Sequence, residues 1–144
     1  ISACLVGSEM CIRDSSYKMP FLLAFIRHVD SIGDAKIEEI LEDYIAFYQD
    51  RITRGLPVDR STCPYNETML QDKKAMQRSM LTNPFEKFER KRFLYYSKDL
   101  SVISMNHALY SQMEAGDWKR VRRQMEEDLA EYYAKVEGAV VVKR

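Results

Sequence analysis

The stretch Asn83-Pro84-Phe85-Glu86-Lys87-Phe88-Glu89-Arg90-Lys91-Arg92-Phe93-Leu94-Tyr95-Tyr96-Ser97-Lys98-Asp99-Leu100-Ser101-Val102-Ile103-Ser104-Met105 decides how this chain is read, because helix signals give way to strand signals inside it. Asn83 stands as a capping residue, Pro84 takes the first helical position, and Glu86 is spaced to close a capping box. Such a cap contributes about 1 kcal/mol, so a helix start is predicted here. Phe93 to Tyr96 and Ser101 to Met105 are β-prone runs, and Ser97-Lys98-Asp99-Leu100 between them suits a hairpin with a four-residue connection.

Working outward, a short helix is predicted from Asp72 to Leu81. After the hairpin, Asn106 caps a short helix reaching about Met113, and Gly116-Asp117 opens a long one. The stripe Trp118, Val121, Met125, Leu129, Tyr132 and Val136 gives that helix one apolar face, closing near Gly138. Toward the N-terminus, Tyr17 to Val29 reads as a buried helix, with Pro20 tolerated in its first turn. Ser31-Ile32-Gly33-Asp34 then supplies a turn and a cap. Ile37, Ile40, Leu41, Tyr44, Ile45, Phe47 and Tyr48 recur at helical spacing to about Thr53. Gly55-Leu56-Pro57 ends that helix, and Asp59 to Thr68 has loop composition. The fold class is therefore mainly α with a small β-hairpin. A helical cluster ending in a hairpin is the outline of a winged helix.

Residues 5–15, Leu5-Val6-Gly7-Ser8-Glu9-Met10-Cys11-Ile12-Arg13-Asp14-Ser15, are similar, residue for residue, to one reading frame of a transposase-type sequencing adapter. Residues 1–15 are accordingly read as an artefact rather than native protein. Residues 16–138 are expected to form one winged-helix-like domain, with 139–144 as a tail. On the artefact reading, the native sequence is expected to start inside a gene, as a fragment whose N-terminal part is missing. From Ser16 onward, 129 residues suffice for one core.

The 22 basic and 22 acidic residues cancel, so no global field argues for nucleic acid or membrane, and only local patches speak. Cys4 and Cys11 fall within residues 1–15, read as an artefact. That leaves Cys63 alone, too few for a disulfide framework or a thiolate zinc site. No apolar run approaches about 18 residues, so no membrane span is expected and the cytoplasm is the default compartment.

Catalytic candidates are equally sparse. His28 and His107 lack any neighbouring metal-ligand spacing, and Glu38, Glu39, Glu42 and Asp43 alternate with an apolar stripe, as a solvated face does. Five scattered glycines make no phosphate loop. Cys63 has no base beside it. No catalytic residue, metal, cofactor or small-molecule ligand is expected.

Charge segregation remains. Between Asp72 and Lys98 stand eight basic residues, Lys73, Lys74, Arg78, Lys87, Arg90, Lys91, Arg92 and Lys98, against three acids, for a local net of +5. Phe85, Phe88, Phe93, Tyr95 and Tyr96 are interleaved. This is either a solvated face or a surface for phosphates, with aromatics as a stacking platform. A second cluster, Lys119, Arg120, Arg122 and Arg123, opposes the dipole at the start of the last helix, unless Glu126 and Glu127 offset it four residues on.

Ser16-Tyr17-Lys18-Met19-Pro20-Phe21-Leu22-Leu23, Phe47-Tyr48 with Arg51, Gly55-Leu56-Pro57-Val58, Asn83-Pro84-Phe85-Glu86-Lys87-Phe88-Glu89 and Tyr96-Ser97-Lys98-Asp99 carry a resemblance. Together they resemble a module at the C-terminal ends of bacterial DEAD/DEAH-box helicase-like proteins, which often bear a phospholipase-D-type nuclease domain in restriction or phage-defence settings. The resemblance covers most of residues 16–137. It implies a parent enzyme whose ATPase and nuclease motifs lie elsewhere, and none of them stands in this sequence.

Two roles compete. In one, a non-catalytic accessory domain contacts DNA through Lys73, Lys74, Arg78, Lys87, Arg90, Lys91, Arg92, Lys98, Arg120, Arg122 and Arg123. In the other, an interaction or scaffold domain packs on the helicase core of the parent chain, or on a partner subunit, through exposed aromatics such as Tyr132 and Tyr133.

Overall fold

The computed structural model describes residues 16–60 and 63–142, with side chains through residue 138. The adapter-like segment and residues 143–144 lie outside them. In chain order the elements are α1 (Lys18–His28), β1 (Asp34–Lys36), α2 (Ile37–Thr53), α3 (Glu67–Leu70), α4 (Lys73–Met80), a π-helical turn (Leu81–Phe85), α5 (Glu86–Arg90), β2 (Leu94–Ser97), β3 (Val102–Met105), α6 (His107–Gln112) and α7 (Ala115–Val142). The chain is mainly helical, with a small three-stranded antiparallel sheet.

Helix α1 is the core element because apolar side chains surround it. Met19, Phe21, Leu22 and Phe25 are all buried, and α1 packs against both α2 and α7. Phe21 stacks on Phe88 at 5.9 Å and meets Phe85 edge-on at 6.3 Å, which fixes the segment before the hairpin onto α1. On α7 the expected stripe is the packed face: Val121, Met125, Tyr132 and Val136 are buried, and Trp118 and Leu129 rest against the core.

The expected hairpin is present, with a connection at residues 98–101. Leu94 pairs with Met105 and Tyr96 with Ile103, so these four share the inner face, while Tyr95, opposite Ser104, points outward. The sheet also holds a strand that the sequence did not predict: the expected turn is present at Ser31-Ile32-Gly33, but Asp34, expected as a cap, opens a strand to Lys36. β1 lies on the far side of β3, with Ala35 opposite Ile103, giving the order β1-β3-β2. Asp30 shapes the turn leading into it, accepting from the backbone of Ile32 at 3.0 Å and of Asp34 at 2.9 Å. These N–H groups, Asp34's first, hold its carboxyl below the usual carboxylate range.

Two predicted boundaries are corrected. No helix begins at Asn83, whose side chain caps nothing; the helix of α4 runs on through the π-helical turn into α5. Pro84 has no N–H to give, and the wider turn takes up its ring without a break. Glu86 does not fold back to close a capping box; it reaches forward to Arg90 at 3.2 Å. Nor does the last helix close near Gly138, since its backbone continues to Val142. The cap at Asn106 is as expected, its side chain accepting from Leu109 N–H at 3.2 Å.

Candidate nucleic-acid interface

The eleven basic residues singled out in the sequence divide into three groups. Lys73, Lys74 and Arg78 are exposed on α4 and line a groove of about 800 Å³ whose other wall is α2. That wall carries Glu38 and Glu42, so carboxylates from the second helix face these three cations.

Lys87, Arg90, Lys91 and Arg92 lie at the junction of α5 with the hairpin, and Lys98 lies in the connection at the hairpin's far end. Arg90, Lys91, Arg92 and Lys98 are exposed and Lys87 is half-buried. Arg90 bridges to Glu86 at 3.2 Å, whereas Lys91, Arg92 and Lys98 form no ion pair among the described residues. The local backbone explains the exposure of the cation run. α5 ends in a pair of bonds, Phe93 N–H to Phe88 C=O and Arg92 N–H to Glu89 C=O, each at 2.9 Å. This is the Schellman arrangement, in which Phe88 and Phe93 hold the two positions that are often apolar. Arg92 fills the left-handed position, φ 62°, where glycine is the usual residue. Its carbonyl is held by Asn106 Nδ2 at 3.0 Å, leaving the guanidinium outside.

Arg120, Arg122 and Arg123 ride on α7, which packs on α1 rather than on the hairpin unit. Arg120 bridges to Asp117 at 3.1 Å. Arg122 and Arg123 are exposed, and the four-apart pairs with Glu126 and Glu127 do not form. The structure thus sets four of the eleven in one run at the end of α5, Lys98 at the far end of the hairpin, and the other six on α4 and α7.

Tyr132 and Tyr133, expected as exposed contact aromatics, are buried at 3% and 5% exposure. Their hydroxyls explain why: Tyr132 donates to Asp59 Oδ1 and Tyr133 to the Val58 carbonyl at 2.5 Å. Asp59, read as part of a polar loop, is the buried centre of this network. It also accepts from Ser16 Oγ at 2.6 Å and Ser16 N–H at 3.0 Å, and Ser16 Oγ meets Tyr48 hydroxyl at 2.7 Å. Arg51 lies 3.5 Å over the Tyr133 ring and donates to the Pro57 carbonyl at 2.7 Å and Glu137 at 2.8 Å. The one signal in the sequence was Tyr132 within an apolar stripe, since a buried phenol needs a partner. Burial pushes the phenols of Tyr17, Tyr44, Tyr48, Tyr65, Tyr132 and Tyr133 above their usual range. Burial likewise pushes the Cys63 thiol up, and Tyr17 hydroxyl donates to its sulfur at 3.2 Å, an environment unsuited to a nucleophile.

His28 is engaged with Asp43, its Nε2 2.9 Å from Oδ2, and His107 is exposed at the start of α6. Among the described residues no three His, Cys, Asp or Glu side chains gather as a metal site, and no helix is long and apolar enough to cross a membrane. Compared with protein-family models, curated proteins and solved structures, the chain has no match.

Proposed function

We propose that this chain is a non-catalytic, nucleic-acid-associated accessory domain, cytoplasmic, belonging to a larger bacterial protein of the helicase or restriction type and working beside that protein's helicase core. The observation that carries the reading is the exposed run Arg90-Lys91-Arg92 at the root of the hairpin, with Lys87 one turn before it and Lys98 exposed at the hairpin's far end. An arginine at a left-handed position costs stability that glycine would spare, and a charge kept there at a cost fits a contact made outside the fold. A helix before β1, helices between β1 and the β2–β3 hairpin, and β1 outside β3 support treating the hairpin as the wing of a winged helix. The exposed ring of Tyr95 adds a stacking surface on the same hairpin.

In this reading five cations touch phosphates. Counterion release then gives a log–log salt slope near −4.5, a loss of several hundred-fold in affinity between about 50 and about 200 mM salt. Fluorescence anisotropy of the 144-residue chain with a labelled duplex, and with either single strand, measures it. Absence of binding to all three at low salt removes the proposal.

A further inference from the structure

The groove between α2 and α4 is built differently from the hairpin surface. Glu38, Leu41, Glu42, Ile45 and Gln49 recur on one face of α2, and Lys73, Lys74, Gln77 and Arg78 on one face of α4, with Leu81 of the π-helical turn just beyond them. Leu41, Ile45 and Leu70 floor the groove and are buried, with Leu81 half-buried beside them. Above this apolar floor stand two walls of opposite charge, carboxylates on α2 and cations on α4. They do not close on each other: among the described residues none of Glu38, Glu42, Lys73, Lys74 and Arg78 forms an ion pair.

A polyanion fits this groove poorly, because phosphates drawn to Lys74 and Arg78 lie beside two carboxylates. An occupant with charges of both signs satisfies both walls. We infer that this groove is a docking site for an amphipathic helix of a partner protein. That helix has a narrow apolar ridge against half-buried Leu81, cations along the flank facing Glu38 and Glu42, and acids along the flank facing Lys73, Lys74 and Arg78. The mode is helix-in-groove recognition, with opposed flank charges fixing the direction of the bound helix. It stands apart from the nucleic-acid reading, which uses the other end of the α4–hairpin unit.

The test uses the 144-residue chain and three labelled peptides of roughly four turns, all with a leucine ridge. One has lysines on one flank and glutamates on the other, the second lysines on both, the third glutamates on both. The mixed peptide should bind the wild-type chain tightest. With Lys74→Glu/Arg78→Glu it should lose about ten-fold while the all-lysine peptide gains, and with Glu38→Lys/Glu42→Lys the all-glutamate peptide should gain instead. Circular dichroism checks that each variant folds, and the glutamine versions replace any that does not. No saturable binding by any peptide overturns the inference, as does a mixed-peptide affinity indifferent to both reversals. Preference of the wild-type groove for the all-glutamate peptide or for duplex DNA also overturns it and returns the α4 cations to a phosphate surface. Lys74→Glu/Arg78→Glu should leave the DNA salt slope near −4.5, so the two proposals fail separately.

Discussion

Arg92→Gly separates what the fold needs from what a ligand needs. At φ 62° an L-residue in the left-handed region costs about 1–2 kcal/mol, and glycine removes that cost while giving back about 0.5–1 kcal/mol of chain entropy. The bonds that define the helix end, Arg92 N–H to Glu89 and Asn106 Nδ2 to the Arg92 carbonyl, are made by backbone atoms of residue 92 and survive. The variant should therefore be more stable by about 0.5–1 kcal/mol, read from urea midpoints at unchanged m. One of five phosphate contacts is lost at the same time, so the DNA salt slope should fall from about −4.5 to about −3.6. Arg92→Ala should show the same slope without the stabilisation, because alanine keeps the unfavourable φ. A glycine variant that is less stable than wild type, with its slope unchanged, refutes the reasoning: Arg92 would then be held by a side-chain contact and not kept for a ligand.

The Asp59 network should behave as a unit. Asp59→Ala strands Tyr132 hydroxyl and both Ser16 donors and should cost about 3–5 kcal/mol, Tyr132→Phe about 1.5–3 kcal/mol, and the double variant clearly less than their sum; additivity in urea melts would dissolve the network as described. Gly33→Ala should cost about 1–3 kcal/mol, since φ is +90° and a Cβ would sit 3.2 Å from the Tyr110 ring. Tyr110→Ala in that background should recover only the steric part, and full recovery would exclude backbone strain. Six of the nine tyrosines have raised phenol values in the fold, whereas an unfolded chain releases these protons near pH 10. Their contribution is thus complete below about pH 10 and is lost as pH climbs beyond it. Tyrosinate absorbance should rise together with unfolding, and reversible ionisation of these six within an intact fold would contradict their burial.

What the sequence made legible was local. The hairpin followed from two β-prone runs around a short connection, the Asn106 cap from one side chain and the amide three residues on, and the α7 stripe from spacing alone. Strand β1 was illegible because three residues, Asp34-Ala35-Lys36, carry no periodicity, and their strand character comes from pairing with β3 some seventy residues away. Of the candidate site, the cation run beside the hairpin could be read directly. The division of the other basic residues could not, because it depends on Glu38 and Glu42 being folded against α4. Asp59 looked like a loop carboxylate for a similar reason, as its burial is made by Ser16 and Tyr132, which come from opposite ends of the described chain.

The failed helix start at Asn83 shows which effect wins when local and tertiary signals conflict. A cap with its box offers about 1 kcal/mol and asks the chain to break its helix before Pro84. Keeping the helix continuous seats Phe85 and Phe88, 3% and 0% exposed, against Phe21, and burying each ring is favourable by about 1.5–3 kcal/mol. The two rings outweigh the cap, and the π-helical turn takes up Pro84. By delivering Phe88 to the core, the continuous helix also places its last turn where Phe93 can complete the Schellman pair, so the same packing that overrode the cap presents Arg90, Lys91 and Arg92 at the surface.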